Sequence, residues 1–146
     1  MNHSKGVAIL GSTGSVGCNT LDVIARNPVD FHVVALAARR SVDLLLEQSQ
    51  RFRPDYVVLS DPAAAQHFKT ALMSADHQPT VLDAEHGLEQ IVTMPQVNIV
   101  MAAIVGAAGL PSTLAAAQAG KTLLLANKEA LVMSGELLIE TAKLNL

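Results

Sequence analysis

Val7-Ala8-Ile9-Leu10-Gly11-Ser12-Thr13-Gly14-Ser15-Val16-Gly17 is the stretch that decides the fold. A short apolar run of strand character enters three glycines spaced by three and leaves into a helix-forming segment. Gly11 is expected to turn the chain sharply as it leaves the strand. Gly14, without a Cβ, would let a pyrophosphate approach the backbone, in a turn expected to need positive φ. Gly17 would let the helix pack tightly on the sheet. Free N–H groups at the helix start would face the phosphates, with Thr13 and Ser15 adding hydroxyl donors. The spacing G-x-x-G-x-x-G only approximates G-x-G-x-x-G, and a glycine-rich turn can be no more than a turn. Its place between a strand and a helix is what favours nucleotide binding.

Outward from this turn, strand and helix patterns alternate along the chain. Strands are predicted near Val7–Leu10, His32–Ala37, Tyr56–Leu59, Thr80–Leu82, Asn98–Ala103 and Thr122–Ala126. They are mostly continuous apolar runs, as parallel strands covered on both faces require. Helices are predicted near Ser15–Arg26, Val42–Phe52, Pro62–Ser74, Glu85–Val92 and Pro111–Ala119, with a last one from about Lys128 to Lys143. The first should bury Leu21 and Ile24 and stop before Pro28. The fifth starts at Pro111 and ends at Gly120, a favourable left-handed cap. In the last, Leu131, Leu138 and Ala142 mark one face. The expected fold is α/β: a doubly wound, mostly parallel, Rossmann-like sheet of about six strands flanked by helices.

Composition narrows the function by exclusion. The 146 residues suit one domain with a sizeable core. Half of them are hydrophobic, yet no apolar run approaches the roughly 18 residues of a membrane span. Met1 to Gly6 shows no signal-peptide pattern, so a cytoplasmic location is expected. Cys18 is the single cysteine, which excludes an internal disulfide and a cysteine-based metal cluster. A net charge of -3 with few aromatics gives no reason to expect nucleic acid. His3, His32, His67, His77 and His86 are scattered, with no i, i+4 pair and no clustered carboxylate. Asp83 and Glu85 read as loop and helix-start residues. No metal site is expected among these residues.

The second strand should end in Ala37-Ala38-Arg39-Arg40-Ser41, without the carboxylate that holds an adenosine ribose 2′-hydroxyl in NAD-preferring folds. Two guanidiniums there could form bidentate bonds with a 2′-phosphate and favour NADP(H). A solvated loop is the plainer reading of the pair, and its position after the second strand favours the phosphate. Asn127, Lys128 and Glu129 follow the last predicted strand at the carboxyl edge where ligands collect in such sheets. The same three residues also fit a helix N-cap and first turn, and spacing alone does not choose.

These segments together resemble the N-terminal part of the 1-deoxy-D-xylulose 5-phosphate reductoisomerase family. The resemblance rests on Gly11-Ser12-Thr13-Gly14-Ser15-Val16-Gly17 with Asn19-Thr20-Leu21-Asp22-Val23. It continues in Met101-Ala102-Ala103-Ile104-Val105-Gly106-Ala107-Ala108-Gly109-Leu110, and in Ala119-Gly120-Lys121 before Leu124-Leu125-Ala126-Asn127-Lys128-Glu129. It implies an NADPH-dependent oxidoreductase that converts 1-deoxy-D-xylulose 5-phosphate to 2-C-methyl-D-erythritol 4-phosphate in non-mevalonate isoprenoid biosynthesis. The complete enzyme would use Mg²⁺ or Mn²⁺ and form a homodimer, with a small sugar-phosphate substrate and neither nucleic acid nor membrane as partner. Rearrangement by retro-aldol and aldol steps would precede hydride delivery.

Carried over by position, the resemblance places Gly11, Thr13, Gly14, Ser15 and Val16 at the NADPH pyrophosphate turn. Arg39, Arg40 and Ser41 would surround the 2′-phosphate, where the family pattern is Gly-Lys/Arg-Asn. Asn127 and Glu129 would meet the cofactor nearer its nicotinamide, and Lys128 the substrate. The family's metal-binding Asp-Ser-Glu-His motif and its C-terminal region are expected beyond Leu146. Residues 1–146 would then be an NADPH-binding domain, holding no catalytic or metal residue and inactive alone. Two other readings stay open: a different NADP reductase with a similar turn, or a non-catalytic NADP-binding module. An aspartate-semialdehyde dehydrogenase relative needs a catalytic cysteine well beyond the turn, whereas Cys18 lies in the first helix.

Overall fold

In the computed structural model, which describes residues 4–126, 139–141 and 143–144, six strands form one parallel sheet. They are β1 (Lys5–Leu10), β2 (Phe31–Ala38), β3 (Tyr56–Leu59), β4 (Thr80–Leu82), β5 (Ile99–Ala102) and β6 (Thr122–Leu125). Their order is β4-β3-β2-β1-β5-β6. The connecting helices are α1 (Ser15–Arg26), α2 (Val42–Phe52), α3 (Pro62–Leu72), α4 (Gly87–Thr93) and α5 (Leu110–Gln118), the last preceded by a 3-10 turn at Ala107–Gly109.

Alternation along β1 explains how the sheet is clad on both faces. Val7 and Ile9 point to the side of α1, α2 and α3, where Leu21, Ile24, Leu45, Phe68 and Leu72 complete a buried layer. Ala8 and Leu10 point the other way, to Ile91 and Val92 of α4 and Ala116 of α5. The chain thus steps outward from β1 to β4 over one face, then returns to the far side of β1 over the other. Right-handed crossovers require that change of face when the direction of winding reverses. The reversal lies between β1 and β5, which is where the site forms.

Local chemistry sets the helix ends. Pro62 opens α3, with the Asp61 carboxylate accepting from Ala64 N at 2.9 Å. At the end of α5, Gly120 has φ +74. Gly120 N donates to Ala117 O and Lys121 N to Ala116 O, each at 3.1 Å, which satisfies two terminal carbonyls. The expected start of α4 is corrected from Glu85 to Gly87. Asp83 accepts from Glu85 N at 2.8 Å and from Gly87 N at 2.7 Å, so residues 83–86 form a turn ahead of the helix. Ser15–Arg26, Val42–Phe52, Tyr56–Leu59 and Thr80–Leu82 stand as expected, and the other boundaries among the described residues differ by at most two residues. Of the expected last helix, residues 139–141 and 143–144 are helical, and Leu131 and Leu138 lie outside the described residues.

Candidate nucleotide site

The segments leaving β1 and β5 diverge at the carboxyl edge and open a crevice of about 560 Å³. Gly11, Thr13 and Gly14 form one wall, Ala103, Ile104, Val105 and Ala108 the other, and Arg39 and Ser60 close the β2–β3 end. A cleft at the point where a parallel sheet reverses its winding is the general position of ligands in this architecture. The lining is mostly apolar or backbone, with one cation among the described residues. A wider groove of about 660 Å³ lies further along the same edge, between Ser60, Lys69, Asp83 and Glu85. No glycine lines it, so the close backbone approach of the crevice is missing there.

The three glycines of the turn do different work. Gly11 has φ +85, and a Cβ on it would stand 2.7 Å from Ala103 O, so both conformation and space call for glycine. A Cβ on Gly17 would stand 2.2 Å from Gly11 O and 2.6 Å from Ser12 Cα, so its absence brings α1 against the turn, as the spacing predicts. Gly14 differs from both. Its φ is -78, which corrects the expectation of a positive φ there, because the reversal is made at Gly11 instead. A Cβ at Gly14 would meet only Gly11 O, at an ordinary 3.6 Å. The fold itself would tolerate a side chain there. What glycine leaves at this position is open space beside a helix start.

That helix start is uncapped. Gly14 occupies the N-cap of α1 with no side-chain hydrogen bond, and the first turn carries no acidic residue. Its leading N–H groups therefore lack helical acceptors and carry the positive end of the helix dipole. Ser15 and Val16 are exposed and Thr13 half-buried around this end. Beneath it the turn is fixed. Gly11 N and Ser12 N both donate to Ala37 O of β2, at 2.8 and 2.9 Å.

Arg39 and Arg40 sit on the short connection between β2 and α2, both exposed. Neither guanidinium has a partner among the described residues, although Arg26 pairs with Asp22 and Arg51 lies over the Phe52 ring. The Arg39 carbonyl accepts from Asp61 N at 2.9 Å, so the backbone is anchored while the side chain is free to meet an anion. Ser41 is the exposed N-cap of α2, with no side-chain capping bond. Asn127, Lys128 and Glu129 lie outside the described residues.

One expectation about metal ligands needs correcting. Asp83, Glu85 and His86 come within 4.8 Å of one another, so a histidine does have clustered carboxylates. The turn before α4 brings them together, with His86 Nδ1 3.9 Å from Asp83 Oδ2 and all three exposed. They lie in the loop after β4, away from the crevice, among whose described lining residues there is no carboxylate. Those residues do not fit a divalent cation. Sequence reading also missed the crevice contributions of Ser60 and Leu88, for which only the strand order provides a signal.

The 1-deoxy-D-xylulose 5-phosphate reductoisomerase family model matches residues 7–135. The chain belongs to that family. A reductoisomerase of this name from Nitrosococcus oceani is 55% identical over 132 residues, covering 90% of this chain and 34% of the relative. A crystal structure of DOX-P reductoisomerase in complex with NADPH, fosmidomycin and magnesium superposes with a TM-score of 0.91 at 44% identity, over 97% of this chain and 34% of that one. The Zymomonas mobilis reductoisomerase in complex with NADPH gives a TM-score of 0.84 at 38% identity, over 97% and 37% of the two chains. The chain thus spans about a third of the length of the reductoisomerases it matches. No helix among the described residues is long and apolar enough to cross a membrane.

Proposed function

We propose that this chain is the NADPH-binding part of a 1-deoxy-D-xylulose 5-phosphate reductoisomerase. The observation that carries the reading is Gly14: a position the fold would let hold a side chain, kept bare at an uncapped helix start that faces the crevice. A pyrophosphate fits there, between the backbone of Gly11 and Gly14, the N–H groups of Ser15 and Val16, and the Thr13 hydroxyl. Arg39, Arg40 and Ser41 suit the adenosine 2′-phosphate, since the two guanidiniums have no partner among the described residues and no acid stands beside them on that connection. Family membership supports roles for Asn127 and Glu129 near the nicotinamide and for Lys128 at the sugar-phosphate substrate.

When bound, NADPH supplies a hydride. The described residues would bind and orient it: the turn the diphosphate, the arginines the adenosine end, with Ile104 and Val105 forming an apolar wall of the crevice. The crevice residues do not fit the Mg²⁺ or Mn²⁺ of the complete enzyme, so no step is assigned to a metal here. We propose that residues 1–146 bind nucleotide without turning over 1-deoxy-D-xylulose 5-phosphate. The complete enzyme is proposed as a cytoplasmic homodimer.

Calorimetric titration of this chain with NADPH and with NADH tests the reading. NADPH should bind at least about tenfold more tightly, the equivalent of one net charge-assisted hydrogen bond. Equal affinities, or tighter NADH, would overturn the assignment of Arg39 and Arg40. Steady NADPH oxidation by this chain, dependent on substrate and metal, would overturn the proposed division of labour.

A further inference from the structure

On the face of α2 that packs against the sheet, the buried Leu45 is followed three and four residues later by Gln48 and Ser49, also buried. Those positions ordinarily hold apolar side chains, because a buried amide is unfavourable unless its bonds are made. Gln48 makes its bonds there through Nε2, which donates to Ser12 O at 2.8 Å, across 36 residues of sequence, and to Cys18 Sγ at a long 3.7 Å. The acceptor of this side chain, Oε1, has no partner among the described residues, and neither do Ser12 Oγ and Ser49 Oγ. Stability alone gives no reason to keep such a group in the core. Its bond to the nucleotide turn does.

Ser12 is the fully buried residue between Gly11 and Thr13, and it is gripped from three directions. Its N–H goes to Ala37 O of β2, its Cα sits where a Cβ on Gly17 would stand, and its carbonyl goes to Gln48. Besides Gln48, the described residues offer that carbonyl only the Cys18 thiol, at a long 3.7 Å. We propose that Gln48 is a positioning residue that sets the peptide after Ser12, and so the direction of the Thr13 N–H group toward the pyrophosphate. Because α2 begins directly after Ser41, the same helix ties the loop proposed for the 2′-phosphate to the turn proposed for the diphosphate. This inference rests on the nucleotide reading above.

The test compares two probes on the 146-residue chain: NADP⁺, which carries both phosphate groups, and adenosine 2′-monophosphate, which lacks the diphosphate. Gln48→Met keeps length and volume but removes the donor. NADP⁺ should weaken on the order of tenfold, as expected for one lost hydrogen bond, while adenosine 2′-monophosphate stays within about twofold. A parallel fall of both probes, or no fall in either, would overturn the positioning role and leave the nucleotide site standing. Failure of the unsubstituted chain to bind NADP⁺ would instead overturn the nucleotide reading itself, and this inference with it.

Gln48→Glu gives a second readout in case the Met variant does not fold. A buried carboxyl is pushed toward its neutral form, and only when protonated can it donate to Ser12 O. Cys18, Asp22, Glu47 and Arg51 line the cleft beside it. NADP⁺ affinity of this variant, divided by that of the unsubstituted chain, should therefore recover as pH falls. A ratio that stays flat with pH would overturn the proposal.

Discussion

The glycine turn after β1 and the arginine loop after β2 leave neighbouring strands at the same edge of the sheet, yet opposite means hold them. In the turn, Ser12 is buried, Gly11 takes a conformation that side chains rarely adopt, and Gly17 presses on the backbone before it. In the loop, Arg39, Arg40 and Ser41 are all exposed, and only main-chain bonds fix them. On the proposed reading, the turn would recognise by shape, through backbone groups held by the packing around them. On the same reading, the loop would recognise by charge, and its exposed side chains can change without disturbing the core. Affinity and stability should therefore be coupled at Gly11 and Gly17 of the turn, and independent in the loop and at the open position of Gly14.

Gly17→Ala should produce the largest effect. With a Cβ 2.2 Å from Gly11 O, α1 must shift away from the turn, and stability should fall by about 3 kcal/mol. Urea denaturation followed by circular dichroism reads this directly, and a loss under about 1 kcal/mol would mean that the turn is softer than its contacts indicate. Gly14→Val sharpens the same point from the other side. Its Cβ has room, so stability should stay within about 0.5 kcal/mol, while NADPH affinity falls on the order of a hundredfold as the side chain fills the pyrophosphate's place. Unchanged affinity in that folded variant would make the turn purely structural.

Exchanging Arg39 and Arg40 for Ser together should weaken NADPH about thirtyfold, leave NADH within about twofold and change stability by less than about 0.5 kcal/mol. A large loss of stability would break the contrast, because it would show the loop to be part of the core. The smallest effect is expected at Lys121, remote from both regions, where Nζ donates to Met94 O at 2.7 Å. Lys121→Met should lower stability by about 1 kcal/mol near neutral pH. Desolvation lowers the Lys121 pKa below its usual 10.5. Just beneath 10.5 the unfolded chain then binds more protons than the folded one, so stability contributed here rises with pH across that window. Denaturation at several pH values should show this rise in the native chain and its loss in Lys121→Met.

Much of this architecture was legible because it depends on local rules. Continuous apolar runs such as Val33–Ala37 mark strands covered on both faces. Pro62, Pro111 and Gly120 punctuate helices, and the glycine spacing announces a strand, a turn and a close-packed helix. Gly14 was read correctly as space but wrongly as a left-handed residue, because spacing does not say which glycine of a turn makes the reversal. Gln48 was invisible for a different reason. In sequence it sits in Glu47-Gln48-Ser49-Gln50, which reads as a solvated helix face, and its burial follows from where α2 lands on the turn. The Asp83, Glu85 and His86 cluster likewise depends on an irregular turn that no periodicity encodes. Ile104 and Val105 were visible as residues but not as a crevice wall, since that needs β5 to lie beside β1.

The pairing of β1 with β5 also imposes an order in time. Gly6 bonds the Asn98 side chain across 92 residues, and Val7 lies beside Ile99. A chain emerging from the ribosome at about 5–20 residues per second would wait roughly 5–20 s between the synthesis of these two strands. Until β5 arrives, β1 is an edge with unpaired backbone groups, next to a glycine turn that has only one wall. Closing so long a loop is slow as well as late. On the proposed function, a dinucleotide would therefore fasten the nascent protein only after β5 has docked.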